Sequence, residues 1–192
     1  MSLPRFAVVD VETSGLDARR HRVLQLAVVT VDAEGSIHDE WESLVRLPWR
    51  FSRVGPTHVH GITRSMLRDA PKIDPVLTEM STRIGDSIFV AHNARFDGEF
   101  LLRAADRQRG PKIDVGPLER RLCTLRMSRR LDPERLESHR LADVCDRYGV
   151  PLLRPHEAQA DARATALLLP HLLRAHHISD EPDLEPFLDR HS

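Results

Sequence analysis

Asp10 and Glu12 stand at i and i+2 in the stretch FAVVDVET, where an apolar run ends. Side chains of a strand alternate between faces, so both carboxylates project to the same side. The spacing alone is unspecific, because seven such acidic pairs occur in the chain, among them Asp32/Glu34, Glu40/Glu42 and Asp97/Glu99. Position separates the first pair from the rest, since it closes an apolar strand rather than lying in a polar stretch. Two carboxylates at the end of a buried strand repel each other and lose hydration. A hard divalent cation such as Mg²⁺ or Mn²⁺ relieves both costs through oxygen ligation. Exposure of both acids at a sheet rim is the plainer alternative.

Two further groups could share that chemistry. Asp97 follows the apolar SIFVA and the polar His92–Asn93, and opens a helix, where an acid also suits the helix dipole. His156 and Asp161 lie in HEAQAD, with His156 at the lip of a helix and Asp161 in its second turn. Histidine is the side chain suited to moving a proton near neutral pH. Taken singly, His156 also reads as a loop histidine, one of eleven, and Asp161 as a solvated helix position.

The elements that must position these groups follow from the hydrophobic pattern. Phe6–Val11 and Val23–Val31 read as buried strands joined through a Gly15 loop, and Ile37–Leu47 as a half-exposed third strand in a hairpin through Gly35. Asp74-Pro75 starts a helix that runs through Ile84. Ser87–Ala91 is a fourth strand, Phe96–Ala105 a helix, and Arg121–Leu125 a fifth strand followed by helical turns. Leu141–Tyr148 is a helix closed by Gly149, and Glu157–Arg174 a longer one that Pro170 is expected to kink or end. Three antiparallel strands followed by parallel ones give a mixed five-stranded α/β sheet flanked by helices. Residues Ile178–Ser192 hold five acids, Asp180, Glu181, Asp183, Glu185 and Asp189, and are expected to form a solvated acidic tail outside a domain spanning residues 1–177.

VVDVETSGLD, AHNARFDGEF and HEAQADA, in that order, resemble the three motifs of the DEDDh, or DnaQ-like, 3′–5′ exonucleases. The third motif has the histidine-bearing form, His156-x-Ala158-x-x-Asp161, and VHGIT and CTLRMSRRL agree with it. The resemblance covers roughly residues 5–175 and looks nearest to the proofreading epsilon subunits of bacterial DNA polymerase III. It implies a ribonuclease H-like fold, two divalent cations (Mg²⁺ or Mn²⁺) held by Asp10, Glu12, Asp97 and Asp161, and His156 as general base. Catalysis would rest on all five residues. The implied reaction releases nucleoside 5′-monophosphates from single-stranded or frayed 3′ ends, with DNA favoured over RNA. Thr13, Leu16, His60 and Asn93 would contact the terminal nucleotide, and a DNA polymerase subunit would be the protein partner. The loop WRFSRVGPTH departs from the Pro-Glu pattern common before VHGIT, and no long C-terminal extension, by which some relatives bind the polymerase, follows.

Composition bounds these readings. The 192 residues carry 28 Lys and Arg against 29 Asp and Glu, a net charge of −1, so any surface for a polyanion must be local. Only Lys72 and Lys112 are lysines, and arginine binds phosphate bidentately. Cys123 and Cys145 are too few for a disulfide framework or a Cys-rich zinc site, and the pairs His58/His60 and His176/His177 lack accompanying cysteines. Apolar runs are too short for a membrane span and no signal-peptide pattern opens the chain, so a cytoplasmic protein is expected. The rival functions are a 3′–5′ exoribonuclease, a non-catalytic nucleic-acid or polymerase-binding module, and a metal-dependent phosphatase.

Overall fold

Strand β1 (Phe6–Thr13) is rich in valine and nearly buried along its length. It forms the axis of a mixed sheet. It pairs antiparallel with β2 (Val23–Val31), which pairs antiparallel with β3 (Ile37–Leu44). On its other edge β1 pairs in parallel with the short β4 (Ile88–Ala91), and β4 in parallel with β5 (Arg120–Cys123). A final strand, β6 (Leu188–Arg190), runs antiparallel to β5 and completes the order β3-β2-β1-β4-β5-β6. This computed structural model describes residues 3–49, 51–108, 113–114, 118 and 120–190.

The helices cover both faces. Helix α1 (Thr57–His60) is a single turn, followed by α2 (Ile73–Ile84) and α3 (Ala94–Asp106). Helices α4 (Thr124–Leu131), α5 (Leu141–Tyr148), α6 (Ala158–Ala175) and the short α7 (Glu181–Leu184) complete the chain. Because strand residues alternate, Phe6 and Val8 of β1 pack with Leu168, Leu169 and Leu172 of α6. Ala7, Val9 and Val11 pack instead with Leu77 and Met80 of α2 and Phe100 and Leu101 of α3. Asp10 and Glu12 share parity with Phe6 and Val8, so they face α6. A smaller cluster of Leu24, Val54, Ile62 and Leu67 holds the segment between β3 and α2 against the sheet.

Three differences from the sequence reading have physical causes. The sheet has six strands rather than five, because the acidic tail docks instead of remaining solvated. Arg120 pairs with Glu181 and Glu185, Arg126 with Asp189, and Leu184 is fully buried. Arg130 donates to the Pro186 carbonyl and lies 4.5 Å from the Phe187 ring centroid. Those arginines lie far away in sequence, so the tail's charges appear unmatched when read locally. Secondly, Pro170 does not end α6, which runs on to Ala175. Its ring lies buried against Gly35, where an added Cβ would come within 3.1 Å of Pro170 Cγ. Finally, β3 stops at Leu44, short of Leu47. Cys123 and Cys145 are both free and buried, and no helix of the described residues is long and apolar enough to cross a membrane.

Candidate active site

The site forms where β1 outruns its parallel neighbour. Pairing with β4 extends only from Phe6 to Val8, so the later N–H groups on that edge need other partners. Val11 finds one in Asp97, whose Oδ1 accepts its N–H at 3.2 Å. That bond draws the first turn of α3 onto the end of β1. Asn93, at φ 84°, makes the left-handed turn that starts the helix there. A bulge between Glu12 and Thr13 then redirects the chain, as bulges beside functional sites commonly do.

Across the sheet, the N-terminus of α6 is fastened by Gln25, the cross-strand partner of Glu12. Gln25 Oε1 accepts the Ala158 N–H at 3.4 Å, and its Nε2 donates to Glu42 at 2.9 Å. Just before α6, His156 takes a left-handed conformation at φ 67°. The Asp161 carboxylate supports that turn, its Oδ2 accepting the His156 N–H at 3.1 Å. The other oxygen, Asp161 Oδ1, is buried and has no hydrogen-bond partner among the described residues. One ligand atom each from Glu12, His156 and Asp161 lie within 4.8 Å of one another.

Mutual repulsion marks the four carboxyls as one cluster. Burial, then Asp97, Asp161 and Glu12, push the Asp10 carboxyl well above the ordinary aspartate range. Burial, then Asp161 and Asp97, raise Glu12 from 4.5 to about 8. Asp97, only 3% exposed, rises from 3.8 to about 7, chiefly by burial. Its backbone hydrogen bonds and Arg121 oppose that rise. Asp161 is raised by burial against the pull of His156. A cation would neutralise four such groups, and four carboxylates with one imidazole are a donor set that suits a hard divalent ion. The unpartnered Asp161 Oδ1 is the kind of buried acceptor that such an ion would satisfy.

This repulsion makes folding stability depend on pH. The folded state holds protons on Glu12 and Asp97 that the unfolded chain has released, so their contribution to stability is lost as pH rises through the folded values. His92 acts in the opposite sense. It is half-buried, and desolvation pushes its pKa down to about 4, but this matters only below its ordinary 6.5. From pH 6.5 to 8 the carboxyls therefore dominate. Over that interval the melting temperature of EDTA-treated protein is expected to fall, while Mn²⁺ should raise it more at pH 8 than at pH 6.5. A melting curve flat with pH in EDTA would contradict the cluster.

Arg121 escapes a motif-based reading. It is buried in β5, its Nε donates to the Leu118 carbonyl, and its charge draws the Asp97 pKa down. Gly98 makes room for it, since a Cβ there would sit 2.5 Å from the guanidinium carbon. Its neighbour Arg120 is a second arginine in the same short strand, so the sequence alone does not single Arg121 out. Among the expected substrate contacts, Leu16 projects into solvent at 86% exposed and Asn93 is exposed. Thr13 and His60 are buried. Thr13 Oγ1 donates to the Gly15 carbonyl, and His60 Nδ1 accepts the Ile62 N–H.

The chain is similar to known proteins in sequence and in fold. An exonuclease family model of the RNase T type matches residues 7–169. The PolC-type DNA polymerase III of Bacillus subtilis (strain 168) is 37% identical over 175 residues, which are 88% of this chain and 11% of the relative. That of Staphylococcus aureus (strain bovine RF122 / ET3-1) is 38% identical over 164 residues, 85% of this chain and 11% of the relative. The chain thus spans about 11% of the length of these curated relatives. Exonuclease X, solved with 5′ overhanging duplex DNA, superposes with a TM-score of 0.68 at 26% identity, covering 91% of this chain and 93% of the other. The nuclease domain of 3′hExo, a DEDDh family member bound to rAMP, shares the fold at a TM-score of 0.72 and 15% identity, covering 90% and 93%. By sequence family and by fold, the chain belongs to the exonucleases, in their DnaQ-like, DEDDh form.

Proposed function

We propose that the protein is a metal-dependent 3′–5′ exonuclease acting on single-stranded or frayed DNA ends, with Asp10, Glu12, Asp97 and Asp161 as cation ligands and His156 as general base. The observation that carries this reading is the buried, unpartnered Asp161 Oδ1 within a set of mutually repelling carboxyls. Bound there, two divalent cations would supply Lewis acidity to both oxygens of an in-line phosphoryl displacement. The chain's own part is positional. The backbone bonds to Val11 and His156 orient Asp97 and Asp161, and the Gln25 clamp fixes the start of α6. His156, exposed at the rim, takes a proton from the attacking water. The water oxygen bonds to phosphorus, the P–O3′ bond breaks, the departing O3′ takes a proton from solvent, and a nucleoside 5′-monophosphate leaves a strand ending in a 3′-hydroxyl. Thr13, Leu16, His60 and Asn93 bear on the terminal nucleotide, and apolar Leu16 contact suits every base.

The PolC-type relatives favour DNA as substrate and a polymerase as setting. The retention of all four acids and the histidine weighs against a purely non-catalytic module. The test is digestion of matched 3′- and 5′-labelled DNA and RNA oligonucleotides with Mg²⁺, Mn²⁺ or EDTA. Stepwise shortening of the 5′-labelled DNA strand, abolished by EDTA, is expected. Faster loss of RNA would reassign the substrate, and failure to shorten any oligonucleotide would sink the nuclease reading.

A further inference from the structure

A second charged surface lies at the same end of the sheet but on the opposite face. Arg22 directly precedes β2, Val45–Trp49 follow β3, Lys72–Asp74 open α2, and Ala104 and Arg107 close α3. Together they line a groove of about 730 Å³. Its lining carries four cations, Arg22, Arg46, Lys72 and Arg107, against the single acid Asp74, which is engaged by Gln108 at 3.2 Å. None of those four cations takes part in a salt bridge among the described residues. The indole of Trp49 is 75% exposed at the rim, where Arg46 and Trp49 also border a smaller recess with Arg64 and Arg68.

The groove is held in place rather than formed by mobile surface chains. Arg107 donates to the carbonyls of Ala18 and Arg19 at 2.7 and 2.8 Å, binding the loop after β1 to α3. Its pKa is lowered by burial and then by Arg22 and Arg103, as in a concentration of like charge. The wall also adjoins the catalytic end of β1. The carbonyl of Arg22, a lining residue, accepts the N–H of Ser14, the residue that follows β1, at 2.9 Å. In a chain of net charge −1, this local excess of cations selects a polyanion. An exposed indole among them selects one with unstacked bases.

We propose that the groove lined by Arg22, Arg46, Trp49, Lys72 and Arg107 binds single-stranded nucleic acid outside the active site, holding the part of the strand that lies 5′ to the nucleotides being removed. Arg46 and Lys72 meet phosphates and Trp49 stacks on a base. This inference rests on the nuclease reading only for the identity of the strand. The protein would therefore have two contacts on one substrate, and affinity would grow with oligonucleotide length until both are filled.

Two measurements test it on the intact protein. In the first, KM and kcat are read for oligothymidylates of 3 to 15 nucleotides, comparing wild type with Trp49→Ala and with the double variant Arg46→Ala/Lys72→Ala. Both variants are expected to raise KM for the longest strand about 10-fold, to leave the trimer unaffected and to keep kcat, with the salt dependence of the double variant reduced by about 1.4 in log–log slope. In the second, tryptophan fluorescence is titrated with the 15-mer in EDTA. Quenching is expected in wild type and lost in Trp49→Ala, which retains Trp41. Quenching by a strand the protein fails to cleave would support the groove and overturn the nuclease reading. Normal cleavage with unchanged KM and no quenching would overturn the groove, leaving its exposed indole to a protein partner.

Discussion

Asp10→Asn is expected to lower nuclease turnover about 10³-fold, equivalent to about 4 kcal/mol of transition-state stabilisation, and to raise the melting temperature in EDTA at pH 8. The two effects share one cause. Asp10 sits half-buried, where burial and the charges of Asp97, Asp161 and Glu12 all disfavour its ionised form. At pH 8 without a cation, the folded state must either retain protons or tolerate clustered negative charge. The amide keeps the shape of the side chain and removes one charge, so a gain of about 1 kcal/mol or more is expected, or about 2–4 °C for a chain of this length. With saturating Mn²⁺ the order should reverse, because the wild type has one more anionic ligand to offer. Near wild-type turnover in the variant would remove Asp10 from the site. Lost turnover with a lower melting temperature in EDTA would make Asp10 a structural residue rather than one held under electrostatic tension for function.

That tension explains why part of the site is legible in sequence. Asp10 and Glu12 end an apolar strand, a costly position that local patterning exposes at once. Asp97 is legible through its place in a strand–turn–helix, although the sequence conceals that it caps the Val11 N–H. The arrangement at His156 and Asp161 is less accessible. Five residues of spacing say nothing about a left-handed turn whose N–H is held by the downstream carboxylate. Arg121 and Gln25 act through contacts across the sheet or onto a helix, and neither carries a local signature. The strands themselves follow from hydrophobic runs as far as β5. The sixth strand does not, because its acids find arginines only after the chain has folded. The basic groove is illegible for the same reason, since its cations come from four separated segments.

His156 permits a cleaner separation of chemistry from folding than any of the acids. Its backbone lies at φ 67°, a region that costs a non-glycine residue about 1–2 kcal/mol, and glycine adopts it freely. His156→Gly should therefore fold at least as well as the wild type, the relief of strain offsetting the added freedom of the unfolded chain. Activity should nonetheless fall about 10²- to 10⁴-fold, the usual contribution of a positioned general base. The acidic limb of the pH–rate profile should disappear, and added imidazole should restore part of the rate. Glu12 and Asp97 could also produce an acidic limb, since without a cation they titrate at about 8 and about 7. Metal concentration distinguishes the two origins. A limb due to the carboxyls shifts to lower pH as Mn²⁺ is raised, because cation and proton compete for the same oxygens. A limb due to the imidazole remains in place once the cations are saturating. If the glycine variant keeps that stationary limb, the proton from water goes elsewhere and His156 is a rim residue held in place by Asp161.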